Sequence, residues 1–207
     1  MFVRFDGQKI PLPHNPFKAC VVPRPIGWIS TLDAAGLPNL APFSFFNAVS
    51  ERPPMVMYCA NGEHIEGGEK DSTRNARETG EFVANLATWD LRQAVNLSSK
   101  RVARNVDEFA LTGLETAAST LVRPPRVAAT PIALECRVVA VNELPGDGPG
   151  SGEINRMVIG RVLGIHIADH LLVDGHVSMA RLRPIARLGY REYAVVESVF
   201  EMVRPED

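Results

Sequence analysis

Apolar and polar residues alternate along much of this chain with a period near two. Ile132, Leu134, Cys136, Val138 and Ala140 alternate with Glu135 and Arg137, the pattern of a strand with one buried face. Residues 26–32, 55–59, 81–86 and 157–168 read as further strands, the last with Gly160 and Gly164 as points of bending or close backbone approach. Asp33-Ala34-Ala35-Gly36 is a turn, after which residues 38–49 return as a single strand stopped by Pro53-Pro54. Residues 193–203 read as the final strand or as a short terminal helix. Two stretches have helical character. One begins near Asp71, Ser72 or Thr73, any of which can cap it, and closes at Gly80. The other, residues 89–102, places Leu91, Ala94, Val95 and Val102 roughly on one face. Residues 103–130 read as irregular, and 144–153 (LPGDGPGSGE) as a loop. Strands dominate without a regular βαβ rhythm, so the fold class is mainly β: a closed or split barrel with a few helical decorations. Residues 1–24, rich in proline, form an N-terminal arm, and 25–207 a single domain with no internal repeat or linker.

Composition narrows the setting. The 207 residues suffice for one full core, and 45% hydrophobic with 22% charged residues is ordinary for a globular protein. A net charge of −2 gives no overall basic field for nucleic acid or an anionic membrane. No apolar run is long enough to span a bilayer, and the first residues lack the apolar core of a signal peptide. Cys20, Cys59 and Cys136 are odd in number and widely spaced, which argues against a disulfide framework. Each sits among apolar neighbours and reads as a buried thiol. A soluble, cytoplasmic protein is expected.

The candidate chemistry clusters in two places. Around Lys70-Asp71-Ser72-Thr73-Arg74-Asn75, a helix start with Lys70 and hydroxyl donors can hold an anion, and Gly67 and Gly68 let the backbone come close. The same pattern also describes a capped surface helix. Asp71 repels an anion unless it points elsewhere, as a cap or as a partner of Lys70. In the second place, Ser44 and Asn47 are interleaved with Phe43, Phe45 and Phe46. Alternation puts Ser44 and Asn47 on opposite faces, so both reach one ligand only through a bulge or through backbone groups. Trp28 either stacks on a planar ring or packs in the core. The five histidines do not converge on a metal, though His166 could face a substrate pocket. Gly-x-Ser-x-Gly, Walker lysine and Gly-x-Gly-x-x-Gly motifs are all missing, so any NAD(P)H must dock transiently. Arg187 to Tyr193 brings two cations and two phenols beside Gly189 and also reads as a polar turn.

Taken in order, these segments resemble the flavin reductase-like family. The matching text is Arg24-Pro25-Ile26-Gly27-Trp28-Ile29-Ser30-Thr31, Asn39 to Asn47, Ser50 with Pro53-Pro54, Lys70-Asp71-Ser72 with Asn75, and Gly80 to Asn85. Later echoes are Pro124-Pro125-Arg126, Leu134-Glu135-Cys136, Ile159 to Val162 and Arg187-Leu188-Gly189. The resemblance is to the longer branch, alongside reductase components of two-component monooxygenases. It implies an FMN-binding split β-barrel of Greek-key type, a homodimer with non-covalent FMN near the subunit interface. Ala41, Pro42, Phe43, Ser44, Phe45, Phe46 and Asn47 would hold the flavin ring edge and ribityl chain, partly through backbone amides. Ser30 and Thr31 would lie nearby, Lys70 and Ser72 would sit at the phosphate, and Trp28, Asp71 and Asn75 complete the expected cofactor-binding set. Arg187 and Tyr193 would approach the ring from the other subunit. The implied reaction is hydride transfer from NAD(P)H to flavin N5 without a catalytic side chain, with the reduced flavin supplied to a partner monooxygenase. Family members that carry electrons without nicotinamide activity, and a module that kept the fold but lost the ligand, are the alternatives.

Overall fold

The structure, a computed structural model, describes residues 1–7, 9–146 and 153–205. The chain enters through a one-turn helix, α1 (Phe17–Cys20), and a short strand, β1 (Arg24–Pro25). Strands β2 (Gly27–Leu32), β3 (Pro38–Phe43), β4 (Phe46–Glu51) and β5 (Pro54–Asn61) follow, then α2 (Asp71–Thr79) and β6 (Glu81–Leu86). Next come α3 (Arg92–Leu97), α4 (Glu108–Thr112) and a ribbon of β7 (Thr116–Ala117) with β8 (Arg126–Val127). The long strands β9 (Ile132–Leu144) and β10 (Asn155–Ile167) pair antiparallel. The chain closes with a ribbon of β11 (Leu172–Val173) and β12 (His176–Val177), helix α5 (Met179–Leu182), β13 (Ile185–Arg187) and β14 (Tyr193–Val195). The expected loop at 144–153 falls mostly on residues 147–152, outside the described residues.

Seven strands make one antiparallel sheet in the order β3-β2-β6-β9-β10-β5-β4. Its two edges, β3 and β4, are separated in the chain by Ser44 and Phe45 alone. Three Cα steps reach about 11 Å, so the sheet must roll until its edges nearly meet. They do not pair, and the result is a split barrel. This corrects the expectation of one strand over 38–49: the chain bends at Ser44–Phe45, leaves β2 and pairs with β5. Gly27 makes that crossing possible, since a Cβ there would lie 2.4 Å from the Phe46 ring. β1, β13 and β14 form a smaller sheet beside the barrel.

Both faces of β2 are covered. Ile29 joins Tyr58, Phe82, Cys136 and Val158 inside the barrel, with Ala76 of α2 packed against them. Trp28 and Leu40 face outward and are sealed by Val95 of α3, Phe109 of α4 and Ile185. The expected role of Gly160 holds: a Cβ there would sit 2.4 Å from Phe82, and register shifts in β10 fall at Ile159/Gly160 and Val162/Gly164.

Three expectations need correction. The helix over 89–102 is only six residues long. Ser98 and Ser99 end it by turning their hydroxyls onto the Val95 and Asn96 carbonyls, and Ser98 also accepts from the Trp28 indole at 2.9 Å. The final strand stops at Val195, and Val199, Phe200, Met202 and Val203 are exposed. Cys20 is exposed rather than buried, because it ends a helix with no buried residue. Among the described residues no helix is long and apolar enough to cross a membrane.

Candidate functional site

The start of α2 is locked to the barrel by side chains. The Tyr58 hydroxyl donates to the Ser72 carbonyl at 2.9 Å, and the Ser72 hydroxyl donates to Asn39 Oδ1 at 2.7 Å. Asn39 in turn donates to both oxygens of buried Glu108, at 3.1 and 3.0 Å. Burial pushes the Glu108 carboxyl upward, against hydrogen bonds from the Leu40 amide and Asn39. Lys70 stands at the N-cap in extended conformation, and no side chain caps the helix. The Thr73 amide turns back onto the Lys70 carbonyl at 3.0 Å, and Lys70, Asp71 and Ser72 line a cleft of about 130 Å³ bounded by Ala41–Phe43, residues 63–65 and residues 98–102.

The charges around this cleft are sorted. Asp71 is held by Arg74 at 3.1 Å, by Arg104, and by His64 Nε2 at 3.2 Å. The Arg104 guanidinium also binds the carbonyls of Gly67 and Glu69, at 2.6 and 3.1 Å, fixing the loop before α2. Asp71 is thus neutralised and does not pair with Lys70. Lys70, Lys100 and Arg101 line the cleft and have no carboxylate partner among the described residues. Burial lowers the pKa of Lys70, and repulsion from Arg101 and Lys18 lowers it further. Glu63 is the exposed carboxylate at the rim.

The wall formed by β3 has an unusual edge. Leu40 N–H points away from β2 and is taken by Glu108 at 3.0 Å. Pro38 and Pro42 share its parity and have no N–H. The open edge of β3 therefore presents carbonyl oxygens and no free amide, which suits a ligand bearing hydroxyl donors. A second cleft of about 130 Å³ shares Pro42 and Ser99 with the first and is lined further by Ser44, Asn96, Arg187 and Tyr193. Arg187 donates to the Tyr193 hydroxyl at 2.6 Å and lies 4.6 Å over its ring.

Residues 19–183 match the flavin reductase like domain model. The chain is 37% identical over 185 residues to an uncharacterized protein of Halalkalibacterium halodurans, covering 89% of this chain and 87% of that one. Nitrilotriacetate monooxygenase component B from Bacillus cereus superposes with a TM-score of 0.82 at 29% identity, over 94% of this chain and 100% of that one. The 2-nitrobenzoate 2-nitroreductase of Pseudomonas fluorescens superposes with a TM-score of 0.78 at 25% identity, over 91% and 88% of the two chains.

This chain belongs to the flavin reductase-like family.

Within that family fold, the structure gathers some of the sequence-predicted residues and disperses others. Ala41, Pro42, Phe43, Lys70, Asp71 and Ser72 line the first cleft, and Ser44, Arg187 and Tyr193 the second. Trp28, Ser30, Thr31 and Asn75 line neither one and are fully or almost fully buried. Ser30 donates to the Pro125 carbonyl, and Thr31 accepts from Asn75 at 3.2 Å. Phe46 packs on the inner core, Phe45 lies 5.9 Å under Arg24, and exposed Asn47 accepts from the Ala48 amide. His166 lines no described cavity: its Nε2 is bound to buried Glu135 on the far hairpin. Ser72 is 2% exposed with its hydroxyl proton directed at Asn39, so toward the cleft it can donate only its backbone amide. Sequence reading missed Lys100 and Arg101, since a helix through residue 102 hides a basic pair in what is the following loop.

Proposed function

We propose that this protein binds FMN across the two neighbouring clefts, which share Pro42 and Ser99, and reduces it with NAD(P)H. The observation that carries this reading is the unbalanced charge at the α2 start: Lys70, Lys100 and Arg101 have no carboxylate partner among the described residues, Asp71 is neutralised, and no side chain caps the helix. Such a site fits a phosphate monoester dianion. The carbonyl edge at Leu40 and Pro42 fits a polyol chain, and the second cleft, with Ser44, Tyr193 and Arg187, fits a flat polar ring. When bound, FMN supplies the hydride-accepting chemistry. The chain's own residues bind and orient: Lys70 and the α2 amides hold the phosphate, Arg104 keeps Asp71 turned away, and Arg187 is steadied by Tyr193. Catalysis then needs no acid, base or nucleophile from the chain.

A homodimer, an oxygenase partner and a cytoplasmic setting are part of the same proposal. The partner is supported by the similarity to a protein named as a monooxygenase component B. The purified protein should oxidise NADH or NADPH when FMN is added, and no turnover with either would end the reductase reading. Lys70→Ala should weaken FMN binding by about 1–3 kcal/mol, the scale of a charge-assisted hydrogen bond. Riboflavin, which lacks the phosphate, should lose far less in the same titration. Equal losses would remove Lys70 from the phosphate site.

A further inference from the structure

A separate cavity of about 300 Å³ opens between α3 and the β13–β14 hairpin. Its floor is apolar, built from Val95, Ile185, Ala194 and Val195, and the rings of Trp89 and Tyr193 flank it. One charged side chain, Arg92, lines it. Its guanidinium carbon lies 3.9 Å from the Trp89 ring centroid, and it donates to the Trp89 carbonyl at 2.7 Å. Neighbouring Arg183 is matched by Glu197 at 3.0 Å, but Arg92 has no carboxylate partner among the described residues. A guanidinium held over an indole and tied to a carbonyl by one N–H keeps its remaining donors in a planar fork, which can receive a carboxylate.

Shape and charge select the occupant. A dry cavity of about 150 Å³ accepts benzene, so this one has room for a single ring with a substituent. No acidic side chain lines it, so an anion is favoured over a cation. We propose that the pocket binds a small aromatic carboxylate, its ring between the apolar floor and Trp89 and its carboxylate on Arg92. The pocket shares Val95, Asn96 and Tyr193 with the second cleft, so its occupant borders whatever fills that cleft. This site requires nothing of the flavin reading, and it can be tested without flavin.

Benzoate is the probe, titrated into the whole protein by calorimetry. Fluorescence localises it, because Trp28 is fully buried and Trp89 is 36% exposed. Benzoate should bind saturably and change the Trp89 emission. Benzyl alcohol, with the same ring and no charge, should bind about tenfold more weakly, the loss of one charge-assisted contact. Arg92→Gln should remove that preference and leave benzyl alcohol binding unchanged. Ala194→Leu, which fills the cavity and leaves Arg92 in place, should abolish binding of both. Lys70→Ala should not affect benzoate. Absence of saturable binding, equal affinity for the two probes, binding that survives Ala194→Leu, or loss in Lys70→Ala would each overturn the proposal, the last by moving benzoate to the phosphate end of the other cleft.

Discussion

Lys70 is in an environment that serves a ligand better than it serves the fold. It is half-buried, faces Arg101 and Lys18, and has no carboxylate partner among the described residues; burial first, and then the two neighbouring cations, hold its pKa below the ordinary lysine value. A lysine with a lowered folded pKa disfavours the folded state while charged. That penalty is present at neutral pH and fades as pH rises toward the value of a free lysine. Lys70→Met keeps the stem and removes the charge. In the flavin-free protein it should therefore raise stability, by on the order of 0.5 kcal/mol after allowing for solvent screening. Urea denaturation at pH 7 and pH 10 checks this, and the gain should shrink at the higher pH. A destabilised variant would mean that the lysine has an unseen partner, and the unbalanced-charge argument would fail. The same substitution should weaken FMN binding, so stability and affinity are expected to move in opposite directions.

The strands were legible where one face meets the core and the other meets water, and misread where something covers the second face. Glu135 shows why. Its alternation with Leu134 and Cys136 marks it as pointing away from the inner core, which it does, yet it is 1% exposed. The segment around residues 120–122 folds over it: Thr120 N–H donates at 2.7 Å, Leu121 N–H donates to the other oxygen, and His166 closes the set. Burial alone would raise the pKa of Glu135, but these hydrogen bonds outweigh it and hold the carboxyl below its usual value. A carboxyl with a depressed folded pKa stabilises above its unfolded value and loses that contribution as pH falls through the folded one. Stability should therefore drop as pH goes below about 4, while Glu135→Gln should be lower by about 1–3 kcal/mol at neutral pH and flatter in acid. Denaturation curves from neutral pH into that acid range distinguish the two. Similarly, the break at Ser44–Phe45 was hidden because residues 38–49 are uniformly strand-like, and only the pairing of Phe46 with Tyr58 reveals that the chain has changed edges.

At the scale of the molecule, the split in the barrel and the candidate site are one feature. The edge strand β3 supplies the carbonyl wall, the bend to β4 places Ser44 at the second cleft, and α2, packed against the inner core through Ala76, brings its N-terminus to the same opening. Residues 41–44 and 70–72 were readable as neighbours of one opening because each stretch is local, whereas Phe45, Phe46 and Asn47 of the same motif line neither cleft. The contribution of Lys100 and Arg101 was not readable, since it depends on α3 ending at Leu97 and on a loop returning to β3. These cations matter against a net charge of −2 for the whole chain: the long-range field does not favour an anion, so attraction must be local to the cleft. Local attraction between partly exposed charges is screened by salt, with a Debye length of about 10 Å at 0.1 M and about 3 Å at 1 M. FMN affinity should therefore fall several-fold between about 0.05 and 0.5 M sodium chloride, and riboflavin affinity should stay nearly level. Lys100→Ala combined with Arg101→Ala should flatten the FMN curve toward that of riboflavin. If FMN binding proves insensitive to salt, its phosphate is not held by these groups, and the cleft at the start of α2 is not its site.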